Sequence, residues 1–456
     1  MSLSLSSSIP FIFLSIFIFS IVAKATVPAS KTFKIINRGE ITGDGFYAPN
    51  EYNAWYRYAG LRTIPFMLCF YNTTPNAFTL GLRMAQQPSD NPINFRWVWD
   101  ANRGKPVREN AALTFGADGN LVLSEANGRI VWQTGTPNKG VVGLQLLPNG
   151  NLVLHDKQGK FIWQSFDHPT DTLLVGQGLR PNGPTKLVSR VSDVDGSEGP
   201  YSFVLEKQSL ALYLKSKNSK SPLLYYSTDS ENPPYRGSNP TKSMVFDISP
   251  KTGSADAYEL RYEFYNGDND WTMLLARPKY NSTYSFLRLG SDGDIKIYTY
   301  NDKVDWGAWE VTYSLFGNEG VISGDECKLP KKCGSLGLCD KNQCVACPRP
   351  KGLKGWSEGC APPKLGHCKN GQANNFDYYK VVGVENFMSD YKQGEGPVSL
   401  TKCKEKCNRY CECLAIFYKE ESSKCLLVPE LGTLRKVSNQ THVAYIKTPK
   451  YAKVAI

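Results

Sequence analysis

Histidine is scarce in this chain of 456 residues, and the catalytic motifs that depend on it are missing. The four histidines are His155, His168, His367 and His442. No Gly-x-Ser-x-Gly elbow, His-Glu-x-x-His helix or glycine-rich phosphate loop accompanies them. Asp167 and Asp171 flank a turn at Pro169, where capping is a simpler role than paired-carboxylate hydrolysis. The sequence therefore predicts that the protein is not an enzyme and needs no cofactor.

Long apolar runs are absent after Ala25. Ile9 to Val22 is apolar and precedes Ala23-Lys24-Ala25, which is the small-residue pattern of a signal-peptidase site, although no Lys or Arg comes before the run. A membrane anchor is the alternative, but about 14 apolar residues are short of the ~20 that span a bilayer. We expect positions 1–25 to be a signal peptide and the mature chain to be secreted.

Cysteine is nearly absent from the chain before Cys327, where Cys69 stands alone in an apolar run and is expected to remain a free, buried thiol. The other twelve form two groups of six: Cys327, Cys333, Cys339, Cys344, Cys347 and Cys360, then Cys368, Cys403, Cys407, Cys411, Cys413 and Cys425. In an exported chain they favour disulfides over a zinc site at Cys344-x-x-Cys347. Six cysteines allow 15 connectivities, which spacing alone does not resolve.

Calcium is a further possibility at two acidic segments, but the sequence does not support it. Asp193-Val-Asp195-Gly196 and Asn266-Gly-Asp-Asn-Asp270 lack the EF-hand spacing to a glutamate. Acidic turns are the simpler interpretation, and no metal is expected.

The chain up to Glu326 has no excess of positive charge, because it carries equal numbers of basic and acidic side chains. From Cys327 onward there are 22 Lys or Arg against 11 Asp or Glu. These cations suggest a polyanion such as de-esterified pectin (pectate) as a partner, or simply a solvated surface. The basic residues in question are Lys328, Lys331, Lys332, Lys402, Lys404, Lys406, Arg409, Arg435 and Lys436. Nucleic acid is not expected outside the cell.

Three Asn-x-Ser/Thr sequons agree with secretion. They begin at Asn72, Asn281 and Asn439, and each predicts an N-glycan in a secreted protein.

A repeated strand pattern in the first half is the most informative feature of the chain. Asp118-Gly-Asn-Leu-Val-Leu123 recurs as Asn149-Gly-Asn-Leu-Val-Leu154, and Ile130-Val-Trp132 recurs at the same spacing as Phe161-Ile-Trp163. Trp97-Val-Trp99 supplies a third, degenerate tryptophan strand. Each unit reads as two short strands around a glycine turn. Three such units can close around a pseudo-threefold axis with Trp99, Trp132 and Trp163 packed inside, which is a β-prism.

These residues carry a family resemblance. The D-x-N-x-V strand and Trp163-Gln-Ser-Phe-Asp-His-Pro-Thr-Asp-Thr-Leu-Leu174 resemble bulb-type, mannose-binding lectins. Leu287-Arg-Leu-Gly-Ser-Asp-Gly-Asp294 is similar to S-locus glycoproteins, and Cys403-x3-Cys407-x3-Cys411-x-Cys413 resembles a PAN/apple domain. The order of these regions is similar to plant S-domain receptors without their membrane span and kinase. Over nearly the whole mature chain it resembles the epidermis-specific secreted glycoproteins of plants.

The resemblance implies a mainly β chain with four units after the signal peptide. We expect a bulb-type lectin domain at 35–170, a second lectin-like or S-locus domain at 171–322, an EGF-like cysteine-rich module at 325–362 and a PAN domain at 366–448. The only substantial helix should lie at about Leu400 to Arg409. The resemblance also implies the pairs Cys403–Cys425 and Cys407–Cys413, and with them we expect Cys368–Cys411, Cys327–Cys339, Cys333–Cys344 and Cys347–Cys360.

The family's sugar site reads Gln-x-Asp-x-Asn-x-Val-x-Tyr, in which alternate residues face one side of a strand. The first copy here keeps Asp118, Asn120 and Val122, and the second copy offers Asn149, Asn151 and Val153. The glutamine and tyrosine are missing from both. A third copy, Gly290-x-Asp292-x-Asp294-x-Lys296-x-Tyr298, keeps the first aspartate and the tyrosine. The same residues also form good hairpin turns without any ligand, so a degenerate sugar site and a purely structural repeat are both open.

Two functions follow from this pattern. The first is a non-catalytic lectin of the cell wall or apoplast that binds mannose-type glycans on other secreted glycoproteins. The second is an extracellular scaffold that has lost its sugar sites and binds proteins through its PAN and lectin-like domains.

Overall fold

The computed structural model describes most of the chain after the expected signal peptide. The described ranges are 26–41, 51–84, 95–228, 240–248, 258–266, 269–276, 284–301, 308–317, 324–366, 368 and 376–450. Positions 1–25, the sequon at Asn281, and His367 lie outside them. Within these ranges the structure is mainly β, as predicted.

The first β-prism is built by strands β1 to β11 in three antiparallel sheets. These sheets are β1-β6-β7-β8, β2-β3-β4-β5 and β11-β10-β9. Their bounds are β1 Phe33–Ile36, β2 Trp55–Thr63, β3 Phe66–Thr74, β4 Ala77–Met84, β5 Arg96–Asp100, β6 Ala112–Phe115, β7 Leu121–Ser124, β8 Ile130–Gln133, β9 Gly143–Leu146, β10 Leu152–His155 and β11 Phe161–Gln164.

Three tryptophans, one from each sheet of this prism, meet at its centre. The ring centroids of Trp99, Trp132 and Trp163 are 6.0, 6.2 and 5.8 Å apart, and each pair is edge-to-face. Edge-to-face contact is a favourable arrangement for aromatic rings because the positive edge of one meets the negative face of another. The near-equal distances confirm the predicted prism and its tryptophan centre.

The glycines of the repeated turns are required by their conformation and surroundings. Gly119 and Gly150 have φ of 80° and 87°, a region that disfavours side chains. A Cβ atom on Gly119 would lie 2.7 Å from Val141, and one on Gly150 would lie 2.6 Å from Leu174. Each turn therefore needs glycine both for its backbone and for close packing.

The second prism repeats the first with strands β12 to β23. Its sheets are β12-β21-β22-β23, β13-β18-β19-β20 and β14-β15-β16-β17. The bounds are β12 Thr172–Leu174, β13 Gln177–Leu179, β14 Lys186–Arg190, β15 Glu198–Leu205, β16 Leu210–Leu214, β17 Leu223–Ser227, β18 Thr241–Ile248, β19 Tyr258–Asn266, β20 Asn269–Ala276, β21 Ser285–Leu289, β22 Ile295–Asn301 and β23 Ala308–Ser314. The change from one set of sheets to the other falls between Gln164 and Thr172.

The C-terminal region contains two sheets and the only α-helix of the described residues. Helix α1 spans Leu400–Arg409, as predicted, and the Ser399 hydroxyl caps it by accepting from the Lys402 N–H. The strands are β24 Leu336–Asp340, β25 Gln343–Arg349, β26 Gly352–Gly355, β27 Phe376–Val382, β28 Val384–Asn386, β29 Ala415–Lys419, β30 Lys424–Val428, β31 Gly432–Lys436 and β32 His442–Pro449.

One of these sheets joins the cysteine-rich segment to the segment at 376–450, which we expect to be a PAN domain and call PAN-like. Its strand order is β26-β25-β24-β31-β28, and β24 pairs in parallel with β31, with Leu336 opposite Gly432. The second sheet, β27-β32-β29-β30, lies wholly in the PAN-like segment. The two segments, which we expected as separate modules, therefore share backbone hydrogen bonds and a hydrophobic core.

Six disulfides hold this region together, and they join the same cysteines as the expected scheme. The pairs are Cys327–Cys339, Cys333–Cys344, Cys347–Cys360, Cys368–Cys411, Cys403–Cys425 and Cys407–Cys413. Cys344 and Cys347 are thus both bonded to sulfur, which removes the zinc alternative. Cys69 is a free thiol and fully buried, and burial raises its pKa to about 12.

Three arginines cross the seam between the prisms. From the first prism, Arg103 donates to Asp171 at 3.1 Å and to the carbonyls of Val188 and Gly196. From the second prism, Arg190 donates to Asp100 at 3.3 Å and to the Tyr71 hydroxyl, and Arg288 donates to Glu51, Thr172 and the Trp97 carbonyl. All three arginine side chains are buried, so this seam is closed by ion pairs as well as by apolar contacts.

The pKa of Asp171 follows from this arrangement. Burial alone would raise it, but the charges of Arg103, Arg288 and Arg190 hold the pKa below its usual range. Asp171 therefore belongs to the seam and is not one half of a catalytic carboxylate pair.

None of the described helices is long and apolar enough to cross a membrane.

We predict that Arg103→Ala destabilises the protein by about 3–5 kcal/mol, because it leaves Asp171 buried beside fewer cations. Urea unfolding followed by tryptophan fluorescence measures the change. Arg129→Ala is the matched control, since the Arg129–Glu125 pair has a largely exposed arginine and should contribute about 0–1 kcal/mol. Equal effects of the two substitutions would contradict the role of the seam.

Candidate carbohydrate-binding sites

The first D-x-N segment forms the turn between β6 and β7, and the side-chain amide of its asparagine makes hydrogen bonds within the fold. The Asn120 Nδ2 donates to Gln133 at 2.9 Å, while its Oδ1 accepts from the Thr134 hydroxyl at 3.0 Å and the Thr136 N–H at 3.2 Å. Asn120 is buried, whereas Asp118 is exposed and accepts from the Asn120 N–H. Val122 is half-buried on β7. The amide thus joins one hairpin to the next strand.

The second segment repeats these bonds. The Asn151 Nδ2 donates to Gln164 at 2.8 Å, and its Oδ1 accepts from the Ser165 hydroxyl and the Phe166 N–H. Exposed Asn149 takes the place of Asp118 and accepts from the Asn151 N–H at 3.1 Å. Val153 is fully buried and offers no apolar surface to a sugar. His155, at the tyrosine position, packs against Gly143.

The third segment lies in the second prism and has a carboxylate in the same buried position. Asp294 accepts from the Ser314 hydroxyl at 2.6 Å and from the Phe316 N–H at 3.3 Å. Burial raises the pKa of Asp294 to about 6, although the Ser314 hydroxyl and nearby Lys296 act in the opposite direction. In all three copies, the side chain at the asparagine position of the motif (Asn120, Asn151 or Asp294) therefore makes hydrogen bonds within the fold.

The motif residues of this third segment border a cavity. The cavity has a volume of about 280 Å³ and is lined in part by Asp292, Lys296, Tyr298, Tyr52 and Arg288. Lys296 forms an ion pair with Asp292, and Tyr298 stacks on Phe286 at 5.0 Å. Lysine and aspartate neutralise each other there, which leaves few free groups for a ligand. Tyr52 lies far away in sequence, and no pattern in the chain predicts its presence.

The predicted binding residues are thus not gathered into one site. Asp118 and Asn149 lie on separate exposed turns, while Asn120 and Asn151 hold hairpins together inside the fold. Among the described residues, no group of three or more His, Cys, Asp or Glu side chains could hold a metal ion. Asp195 instead closes a turn by accepting from the Ser197 N–H at 2.9 Å.

The two described sequons have different surroundings. Asn439 is exposed, and its Oδ1 accepts from the Thr441 N–H at 3.0 Å and the Thr441 hydroxyl at 2.8 Å. Asn72 lies in β3 opposite Trp55 and is only 7% exposed. Of these two, Asn439 is therefore the sequon that is open to an attached glycan in the folded chain.

Most of the nine basic C-terminal residues singled out from the sequence have a carboxylate neighbour. Carboxylates lie within 4.0 Å of six of the nine: Lys328, Lys331, Lys332, Lys406, Arg435 and Lys436. Lys404 lies over the rings of Tyr378 and Tyr445. This pairing leaves the net charge of the segment unchanged, but a polyanion would have to compete with a neighbouring carboxylate for each of these six cations.

Several known proteins are similar to this chain in sequence. A family model described as D-mannose binding lectin matches residues 96–192, which contain all three central tryptophans and both repeats. EP1-like glycoprotein 2 of Arabidopsis thaliana is 47% identical over 449 residues, covering 93% of this chain and 96% of the relative. The chain belongs to the EP1-like glycoprotein family. A relative in Daucus carota, named epidermis-specific secreted glycoprotein EP1, is 50% identical over 372 residues, covering 78% of this chain and 92% of that one.

Because the family model matches, this EP1-like chain contains a lectin-like domain. The names of the two relatives above describe glycoproteins, and one of the two names says that the protein is secreted. Among solved structures, the fetuin-binding agglutinin of Scilla campanulata, titled a two-domain lectin, has a partial likeness. It is 17% identical, covers 59% of this chain and 97% of that chain, and has a TM-score of 0.18.

We predict that Asn151→Ala lowers the free energy of unfolding by about 1–3 kcal/mol, because the Gln164 side-chain oxygen, the Ser165 hydroxyl proton and the Phe166 N–H each lose the hydrogen bond to Asn151. Urea unfolding measures the change. The control is Asn149→Ala, which removes an exposed side chain of the same turn and should cost less. A wild-type stability for Asn151→Ala would show that the amide is not structural.

The raised pKa of Asp294 predicts a pH effect. Its folded value of about 6 lies above the ordinary 3.8, so the folded state holds the proton more tightly, and stability falls as pH rises from about 4 to 6. Asp294→Asn should remove about 2–3 kcal/mol of this pH dependence. Urea unfolding at a series of pH values gives the comparison. Asp118→Asn, which copies the residue at 149, should keep the wild-type dependence.

Proposed function

We propose that this EP1-like glycoprotein is a secreted, N-glycosylated, non-catalytic lectin-like protein of the cell wall or apoplast that binds mannose-type glycans. The observation that carries the proposal is the match of residues 96–192 to the mannose-binding lectin model, on a prism whose tryptophan centre is intact. A second prism of the same design gives the chain two sets of turns and loops on which a glycan could bind.

The contacts of the motif residues limit how such binding can occur. Asn120 and Asn151 make their hydrogen bonds within the fold, and Val153 is buried. Of the motif residues in these two copies, a sugar would meet only Asp118 or Asn149 as exposed polar groups. Losing two or three hydrogen bonds of about 1 kcal/mol each from a weak site removes most of its affinity. Glycan binding therefore depends on surfaces beyond the family motif.

The alternative function is an extracellular scaffold that binds proteins and not glycans. What favours it is the structural use of the motif asparagines, together with the continuous C-terminal unit in which the cysteine-rich and PAN-like segments share a sheet. In this case the prisms act as rigid spacers, and the partner docks on the C-terminal unit.

A glycan array probed with the enzymatically deglycosylated, full-length protein distinguishes the two functions. Removal of its own glycans prevents self-binding from masking the result. Binding to high-mannose glycans above other neutral glycans supports the lectin function. Absence of binding to every glycan, with a circular dichroism spectrum unchanged by deglycosylation, would refute it and favour the scaffold. Polygalacturonate on the same array tests the basic C-terminal region, and such binding should weaken as salt rises.

A further inference from the structure

A cavity lies at the seam between the two prisms. It has a volume of about 420 Å³, within the range of about 300–1,000 Å³ that is usual for small-molecule sites. Trp132 and Trp163 of the first prism contribute to one side, and Lys186, Val188 and Glu198 of the second prism contribute to the other. None of these five residues belongs to the sugar motif.

The tryptophans of the cavity differ in how their indole N–H groups are used. The Trp99 Nε1 donates to the His168 carbonyl at 2.8 Å. Among the described residues, neither Trp132 nor Trp163 has a hydrogen-bond acceptor for its Nε1, and neither of these atoms is fully buried. Both rings are half-buried. An unused donor beside a cavity favours a ligand that carries acceptors.

The rest of the lining supplies an aromatic wall and free polar groups. His168 stacks on Trp163 with ring centroids 5.3 Å apart and an angle of 14°, and burial lowers the pKa of His168, which keeps this wall uncharged at neutral pH. Lys105, Lys186 and Glu198 are exposed at the cavity and form no ion pair with another described residue. They are therefore available to donate to or accept from a ligand.

We propose that this seam cavity is a glycan-binding site that accepts one or two sugar residues. A pyranose has an apolar face, which suits the indole rings, and a belt of hydroxyls, which can accept from the two free N–H groups and pair with Lys186 and Glu198. A purely apolar ligand would leave those polar groups desolvated and unpaired, at a cost in affinity. The inference rests on the proposed glycan-binding function and gives it a location.

The location also explains how glycan binding and a degenerate motif can coexist. The motif amides reach the cavity only indirectly, because Asn120 is bonded to Gln133 and Thr134, which are themselves lining residues. Asp118 and Asn149, the exposed motif residues, do not line the cavity. Substitutions at the two locations can therefore be tested separately.

The test titrates the full-length, deglycosylated protein with a high-mannose oligosaccharide, followed by calorimetry and by intrinsic tryptophan fluorescence. The cavity variant is Glu198→Leu, which removes the carboxylate at an exposed lining position and puts an apolar side chain in its place. A second variant, Trp132→Phe, keeps an aromatic ring but removes one free N–H. The matched control is the double variant Asp118→Ala and Asn149→Ala at the motif turns. Urea unfolding verifies that each variant folds.

If the inference holds, the oligosaccharide changes the fluorescence of the wild type, and Glu198→Leu and Trp132→Phe each raise Kd by about tenfold or more. The motif double variant keeps the wild-type Kd. Binding that is lost only in the motif double variant would overturn the cavity site and leave the lectin function standing. No binding by the wild type would overturn both.

Discussion

The buried ion pairs of Arg103, Arg190 and Arg288 are the contacts on which the arrangement of the two prisms depends. Each prism has three sheets of its own, but the relation between the prisms is fixed by guanidinium groups that reach across to Asp171, Asp100 and Glu51. Planar guanidinium groups suit this role because they make several hydrogen bonds in set directions. The geometry of the seam cavity depends on the same contacts, since its two sides belong to different prisms.

The first prism was predictable from sequence because its signal is local and repeated, whereas the second was expected only from the family resemblance. The constant spacing of the repeat places Trp132 and Trp163 in equivalent strands, and the glycine turns mark where each hairpin reverses. Helix α1 was equally clear, because Cys403 and Cys407 lie one turn apart. These patterns involve residues that are close together along the chain. Local structure can therefore be predicted from them without knowing the rest of the fold.

The seam and the shared C-terminal sheet could not be predicted in the same way. Arg288 meets Glu51 from 237 residues away, and no periodicity connects the two. The motif asparagines were ambiguous for another reason. A buried amide that joins hairpins and an exposed amide that binds a sugar occupy the same position in the pattern, and only the partners of Asn120 and Asn151 distinguish the two uses.

The parallel pairing of β24 with β31 affects the order in which this protein can mature. The disulfides of the cysteine-rich segment join cysteines that are only 11 to 13 residues apart, so they can form soon after the segment reaches an oxidising environment. Its central strand nevertheless lacks one neighbour until about a hundred further residues have been synthesised and folded. During that interval β24 presents an unpaired edge, to which chaperones or other chains can bind. Strand β31 thus completes a sheet whose central strand was synthesised much earlier.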